Sequence, residues 1–197
     1  MWRQSSYRES LAGRVATLRV VPKGDASMKP KHAAILAIGL ALAACSGPTT
    51  RTHRLTPQAI AAVERVQLSP AEATAMLNAY RASHNLPPVR LDPALSAMAQ
   101  RQANAMVQAN DMSHNVDGSF SGRIMGAGID TTRAAENIGG GYYSLQEAMA
   151  GWRASSEHNA NLLLPQATRF GIAIAKDPQT DLRVYWAMEV AAEPEQR

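Results

Sequence analysis

The sequence predicts a single α+β domain. Its early part carries apolar residues at helical intervals, whereas its last part holds two segments, 170–175 and 182–191, that are rich in Ile, Val and aromatic residues. Helices that precede strands, without regular alternation between the two, are typical of the α+β class. The chain shows no internal repeat, and its length suits one domain around one core.

The beginning of the chain predicts an export signal. Two lysines precede an uninterrupted apolar run at 33–44, which is too short to span a bilayer and has the length of a signal-peptide core. The run ends in Leu42-Ala43-Ala44-Cys45, which resembles the lipobox of bacterial lipoproteins, where a peptidase cuts before a cysteine that carries diacylglycerol. We therefore predict a lipoprotein signal peptide at 28–44 and lipidation of Cys45.

The segments on either side of this signal have different roles. Residues 1–27 mix charge with short apolar pieces and fit no part of a signal, so we interpret them as an over-extended N-terminus, with translation starting at Met28. Residues 45–68 are rich in Ser, Thr, Pro and Arg and predict a tether, with a short helical turn at 57–66. The globular domain is expected at 69–197. Because the only cysteine is predicted to carry lipid, no disulfide and no cysteine zinc cluster is expected there.

Two helices open the predicted domain. Ser69-Pro70-Ala71-Glu72 has the spacing of a capping box with proline at the first helical position. After a Pro-Pro break, Asp92-Pro93 caps a second helix, which is expected to run to about Asn110. The apolar stripe of this second helix consists of Leu95, Met98, Ala99, Ala103, Met106 and Val107.

The remaining elements follow from turn residues and from changes of apolar period. A capping box at Ser144 begins a helix that ends near Ser155 and puts Trp152 on its apolar face. The others, in chain order, are a polar loop at 114–122, a short helix at 122–127, a turn or close backbone approach at Gly139-Gly140-Gly141, the segment 157–163 and a hairpin loop at 176–181 between the two strands.

The positive net charge belongs to the export signal and not to the domain. The whole chain has a formal charge of +4, but residues 1–44 hold seven Lys or Arg and two Asp or Glu, against thirteen and fourteen in the rest. The mature chain is therefore close to neutral and contains no basic run. This argues against nucleic acid as a partner.

A series of motifs between Met76 and Ala191 resembles the CAP superfamily of cysteine-rich secretory, antigen 5 and pathogenesis-related 1 proteins, also called SCP domains. The motifs cover nearly the whole predicted domain and keep one order. They are Leu77-Asn78-x-x-Arg81, Leu86-Pro87-Pro88-Val89, Leu91-Asp92-x-x-Leu95, Ser113-His114, Asp117-Gly118, Arg123-Ile124, Ala135-Glu136-Asn137-Ile138, Trp152, Glu157-His158-x-x-Asn161-Leu162-Leu163, Gly171 and Tyr185-Trp186.

The resemblance implies a three-layer α-β-α sandwich and a cleft lined by two histidines and two acidic side chains, which in some members binds a divalent cation. Three positions carry over directly: His114 from the Ser-His motif, Glu136 from the Glu-Asn-Ile motif, and His158 from the motif after the tryptophan helix. Imidazoles and a carboxylate are ligands that zinc accepts. The resemblance therefore predicts a site for zinc or another divalent cation.

The fourth position of the cleft departs from the family pattern. Animal and plant members place a histidine in the last strand, where this chain reads Val184-Tyr185-Trp186-Ala187-Met188-Glu189. Either Glu157 or Glu189 is left to supply the second carboxylate. We favour Glu157 slightly, because it adjoins His158 in the same motif.

Each of these residues also has an ordinary structural interpretation. A loop histidine such as His114 caps turns, a histidine at a helix start such as His158 lies on a wet surface, and Glu136 could pin a loop beside the triple glycine. Their spacing matches no local metal motif, so the functional interpretation depends on the resemblance. A serine-hydrolase elbow is excluded, since 118–122 reads Gly-Ser-Phe-Ser-Gly with phenylalanine in the place of the nucleophile.

Together these observations predict a lipid-anchored binding module of the cell envelope. Its partners are the membrane, through the lipid on Cys45, and a ligand in the cleft: a divalent cation, a small apolar molecule or an envelope component. Ser46 after the cysteine favours the periplasmic face of the outer membrane. The alternative is a metal-dependent hydrolase acting on a peptide or envelope substrate, with Glu136 or Glu157 as general base; an envelope scaffold is a third hypothesis.

Overall fold

The computed structural model describes residues 55–194. The predicted signal peptide and Cys45 lie outside these residues. The described part contains six helices and four strands: α1 (Pro57–Arg65), α2 (Pro70–Ser83), β1 (Arg90–Leu91), α3 (Pro93–Ala109), α4 (Phe120–Gly126), β2 (Ala134–Gly140), α5 (Leu145–Ala154), α6 (Ser156–Leu162), β3 (Arg169–Lys176) and β4 (Val184–Ala191).

The predicted helix starts form as the capping residues require. Ser69 Oγ accepts a hydrogen bond from the backbone N–H of Glu72 at 3.3 Å, and Ser144 Oγ accepts one from Glu147 at 3.2 Å. Asp92 Oδ1 accepts from both Ala94 and Leu95. These bonds satisfy N–H groups that a helix leaves unpaired at its start.

The four strands form one mixed sheet in the order β1-β3-β4-β2. The predicted hairpin is present, because β3 and β4 pair antiparallel, with the short β1 parallel to β3 on the far side. The other neighbour of β4 is β2, which pairs antiparallel with it in a register that sets Glu136 opposite Glu189. Strand β2 is therefore an edge of the sheet.

Helices cover both faces of the sheet, which gives the expected α-β-α layers. Along β4, Trp186, Met188 and Val190 pack in a cluster with apolar residues of α1, α2 and α5. The alternate residues Tyr185 and Ala187 pack against α3 on the other face. The contact between α3 and β3 is close, because a Cβ at Gly171 would lie 2.2 Å from the backbone of α3 at Leu95.

Strand β2 was not predicted as a strand, and its composition explains why. Its sequence, AAENIGG, has one β-branched residue and ends in glycines, which are rare in strands. Both of its faces are buried, so the alternation of apolar and polar residues that marks a half-exposed strand is missing. Two of the glycines let side chains pack directly on the backbone, since a Cβ at Gly139 would collide with Tyr142 and a Cβ at Gly140 with Leu182. The third, Gly141, has a φ of +77°.

The packed domain begins earlier than the predicted boundary at Ser69. The helix expected near 57–66 forms, but its Val63 and the following Val66 are buried in the core beside α2. The ammonium of Lys176 on β3 also donates to the carbonyl oxygens of Glu64 and Val66, at 2.9 and 2.7 Å. This part of the predicted tether is therefore folded against the domain, because its two valines complete the apolar layer.

No helix within residues 55–194 has the length and apolar character needed to cross a membrane.

Candidate functional site

The edge strand β2 presents Glu136 to one helical layer and Asn137 to the other. Successive side chains of a strand point to opposite faces, so a Glu-Asn pair reaches both layers from a single point of the sheet. Both side chains are buried. The polar residues of the candidate site are arranged around this pair.

On the side of the sheet that faces α4, the carboxylate of Glu136 is hydrogen-bonded to the side chains of His114 and Arg123. Its Oε1 lies 2.6 Å from Nδ1 of His114. Arg123 of α4 grips the same carboxylate with two parallel hydrogen bonds, Nη1 to Oε2 at 2.7 Å and Nη2 to Oε1 at 2.9 Å. Both carboxylate oxygens are thus engaged by side chains of the protein itself.

Local sequence places His114 and Arg123 at this point. The loop that carries His114 turns at Gly118, where φ is +84°. The next residue, Ser119, caps α4, because its hydroxyl accepts a hydrogen bond from the backbone N–H of Gly122. The loop is also held from α3, since the buried Gln102 donates to the carbonyl oxygen of Ser113 at 2.8 Å. The predicted helix at 122–127 corresponds to α4.

On the opposite face, Asn137 secures the helix that carries His158. Its side-chain amide donates to the backbone oxygen of His158 at 3.0 Å. Asn161, one turn further along α6, donates to the side-chain oxygen of Asn137 at 2.9 Å and to the backbone oxygen of Glu136 at 3.1 Å. The beginning of α6 is capped by Ser155, whose hydroxyl accepts from the backbone of His158.

The two histidines therefore come from different helical layers, and both are tied to the edge strand, His114 through its ring to Glu136 and His158 through its backbone oxygen to Asn137. Both are largely buried. Burial lowers the pKa of His158 and His114 adds to this effect, against the opposing effect of the neighbouring Glu157.

A second carboxyl group, Glu189, lies beside Glu136. It faces Glu136 across the β2–β4 pair and is fully buried, with Arg123 Nη1 3.9 Å from its Oε1. Burial and the charge of Glu136 raise the pKa of Glu189 well above its usual range, which disfavours its charged form. Burial acts in the same direction on Glu136, but hydrogen bonds from His114 and Arg123 and the charge of Arg123 outweigh it and lower its pKa.

These positions refine the residue set predicted from the sequence. His114, Glu136 and His158 are brought to one edge of the sheet. The carboxyl that adjoins Glu136 is Glu189, whereas Glu157, which the sequence argument favoured, lies exposed in the first turn of α6 next to His158. The reason is the register between β2 and β4, which pairs Glu136 with Glu189 and cannot be predicted from the motif around His158.

The arrangement does not fit a metal centre with Glu136 as a ligand. Both oxygens of Glu136 are already hydrogen-bonded, and its negative charge is neutralised by the guanidinium of Arg123. Within residues 55–194, no three or more His, Cys, Asp or Glu side chains are arranged to hold a metal ion. The histidines are the remaining metal-binding groups of the predicted set, with Glu136 behind His114 in the place of an orienting carboxylate.

Sequence reasoning missed Arg123 as a site residue, although the Arg-Ile pair was among the motifs. An arginine in a short amphipathic helix is usually a surface residue, and nothing in the local pattern indicates burial. The roles of Asn137 and Asn161 were also missed. The one available signal was their fixed place in the motifs, which does not reveal what they contact.

The layers and the site together define a class of protein. A sheet between two helical layers is the α-β-α arrangement implied by the CAP or SCP resemblance. A model of the cysteine-rich secretory protein family, CAP, matches residues 74–190, which is well over half of the chain. The chain belongs to this family.

One curated relative is the uncharacterized protein YkwD of Bacillus subtilis (strain 168). It is 28% identical over 125 residues, which cover 62% of this chain and 46% of YkwD. The present chain therefore matches about half the length of that relative.

Solved structures share the fold at lower identity. An extracellular protein containing an SCP domain from Bacillus anthracis str. Ames aligns with a TM-score of 0.56 and 24% identity, over 62% of this chain and 40% of its own. An outer surface protein of Borrelia burgdorferi aligns with a TM-score of 0.57 and 18% identity, over 64% of this chain and 96% of its own. At these identities the likeness concerns the fold.

Proposed function

We propose that this chain is an exported lipoprotein whose CAP domain is a binding module, with His114 and His158 as the ligand-contacting residues. The observation that carries the proposal is the 2.6 Å hydrogen bond between Nδ1 of His114 and the buried Glu136. An ionised carboxylate only accepts, so it fixes the proton on Nδ1 and leaves Nε2 as an acceptor or a metal ligand. A loop histidine with a purely structural role needs no buried carboxylate to orient it.

The chemistry of the site favours a ligand that two imidazoles recognise. Both rings are largely buried, and the lowered pKa of His158 keeps its ring neutral at neutral pH. Neutral imidazoles accept hydrogen bonds from hydroxyl and amide groups of envelope components, and they bind zinc. A divalent cation would be held by His114 and His158 and not by Glu136, with water completing the incomplete shell.

A metal-dependent hydrolase is less well supported than a binding module. The lowered pKa of Glu136 and its two occupied oxygens make it a weak general base. Glu157 is the remaining carboxylate of the original set. It lies exposed beside His158, where its charge opposes the lowering of the His158 pKa.

Location outside the cytoplasm is supported by the apolar run and lipobox-like end of 28–45, and by two structural neighbours, one an extracellular protein and the other an outer surface protein. We propose attachment through lipid on Cys45, at the periplasmic face of the outer membrane. Because α1 begins at Pro57 and packs on the domain, the chain from Cys45 to that point spans at most about 40 Å. The domain would then stay close to the membrane surface.

Zinc binding followed by calorimetry tests the site. We expect His114→Ala and His158→Ala each to weaken binding, and the double variant to lose less than the sum, because both ligands serve one ion. Affinity should fall as pH drops through about 6.5, since protons compete for the rings. His84→Ala removes an exposed imidazole outside the site and should leave the affinity unchanged. Absence of zinc uptake at neutral pH, or strict additivity, would contradict a shared cation site.

Radiolabelled fatty acid tests the anchor. Cys45→Ser should abolish incorporation of label, because a hydroxyl does not replace the thiol in the modification, and should leave precursor or unlipidated protein. Label on the Cys45→Ser chain would show that the lipobox assignment is incorrect.

A further inference from the structure

Arg123 contacts His114 in two ways. Its Nη2 donates to the backbone carbonyl oxygen of His114 at 3.0 Å, and the same guanidinium holds both oxygens of Glu136, which in turn binds the His114 ring. The backbone and the imidazole of one residue are thus fixed from one planar group. Arg123 itself is buried and does not face bulk solvent.

We propose that Arg123 is the positioning residue of this cleft: by fixing the backbone of His114 directly and its ring through Glu136, it sets which imidazole nitrogen is presented to a ligand. The inference deepens the proposed function, since it assumes that His114 contacts the ligand. Arg123 acts through its neighbours and is not a ligand-contacting residue.

The geometry explains why a guanidinium serves here. Arg123 donates three hydrogen bonds, two to the carboxylate of Glu136 and one to the backbone carbonyl oxygen of His114. The guanidinium is planar and holds its N–H donors in a fixed fork, which suits these acceptors. A lysine ammonium would keep the charge but not the two parallel bonds. A single cationic side chain of the protein thereby gives Glu136 the counter-charge that a divalent ion would otherwise supply.

The second carboxyl is consistent with this assignment. Glu189 faces Glu136 across the β2–β4 pair, and the same Nη1 of Arg123 lies 2.7 Å from Glu136 Oε2 and 3.9 Å from Glu189 Oε1, so one guanidinium serves both carboxyl groups. Removing Arg123 would leave Glu136 buried between a carboxyl and an imidazole, with no cation. Glu136 would then lose the two parallel bonds that aim its Oε1 at Nδ1, so the preference of the His114 ring for the Nδ1–H form would weaken.

The test is the tautomer of His114, measured by side-chain ¹⁵N NMR on the full histidine-labelled chain at pH 8 with EDTA. In the parent protein the Nδ1–H form should exceed the other by roughly tenfold or more, given a charge-assisted hydrogen bond. Arg123→Met should reduce this ratio about tenfold. Arg123→Lys, which keeps the charge but loses the fork, should give an intermediate ratio, and it decides the matter if Arg123→Met fails to fold.

Gln102→Met is the matched control. It removes a hydrogen bond to the same loop, at the carbonyl oxygen of Ser113, and leaves the bonds of Arg123 to Glu136 in place. The proposal is overturned if Arg123→Met and Arg123→Lys keep the parent ratio, or if Gln102→Met changes it as much. Because the measurement uses no metal, an Arg123-dependent tautomer in a protein that takes up no zinc would remove the cation-binding part of the proposed function and leave this inference standing.

Discussion

Replacing Arg81 should produce a large loss of stability, although this residue lies outside the site. Arg81 on α2 is fully buried. It donates instead to four backbone carbonyls, those of Pro87, Leu162, Leu164 and Ala167, at 2.9 to 3.2 Å. It thereby joins α2 to the chain that leaves α6.

The magnitude follows from two opposing effects. In Arg81→Met, the carbonyls of Leu162 and Ala167 stay buried without a donor, at about 1–3 kcal/mol each, and the other two bonds are replaced by water. The variant also avoids the cost of burying a guanidinium, whose desolvation already lowers the pKa of Arg81. We expect a net loss of about 3 kcal/mol in the free energy of unfolding.

Urea denaturation followed by circular dichroism measures this loss. Arg81→Lys supplies three donors from a single atom and should recover only part of it. Arg65→Met removes an exposed arginine of α1 and should stay within about 0.5 kcal/mol of the parent. If Arg81→Met also lies within about 0.5 kcal/mol, the four bonds do not stabilise the fold and the reasoning is refuted.

Three further predictions concern the core and the site. The side chain of Trp152 is 1% exposed, and Trp152→Ala should lower the free energy of unfolding by about 3–5 kcal/mol. A melting temperature within a few degrees of the parent would contradict its core position. Gly171→Ala should destabilise strongly and disturb amide shifts around Leu95, because its Cβ meets rigid helix backbone at 2.2 Å; an unperturbed spectrum would argue against this close contact. Since the pKa of His158 is lowered on folding, its contribution to stability is complete above its unfolded value of about 6.5 and is lost as pH falls through the folded value. His158→Gln should therefore lose less stability than the parent between pH 8 and pH 5, and equal losses would contradict burial of this ring.

Local sequence predicted most of the helices because their signals are local. Capping residues such as Ser69, Asp92 and Ser144 satisfy N–H groups within their own turn, and apolar spacing marks the buried face. The hairpin of β3 and β4 was predicted for the same reason, since its strands are rich in β-branched and aromatic residues. Strand β2 lacked such a signal, because it is specified by pairing with β4 and not by its own residues.

Motif resemblance identified the family and brought together His114, Glu136 and His158. It did not identify what holds them. The contact of Arg123 with Glu136 spans an independent helix and strand, and no rule of local spacing predicts a side chain that bridges them.

The sequence by itself determined the class of the domain, the capped helices and the final hairpin, and it predicted three candidate residues of the site, because each depends on local period or on an ordered motif. The tertiary structure decided which charged and hydrogen-bonding neighbours surround those residues. Register across β2 and β4 set Glu189 against Glu136, and packing of α4 on the sheet brought Arg123 to the same carboxylate. The charge and proton positions of a buried cluster depend on such long-range neighbours, because in a low-dielectric interior the nearest charges dominate.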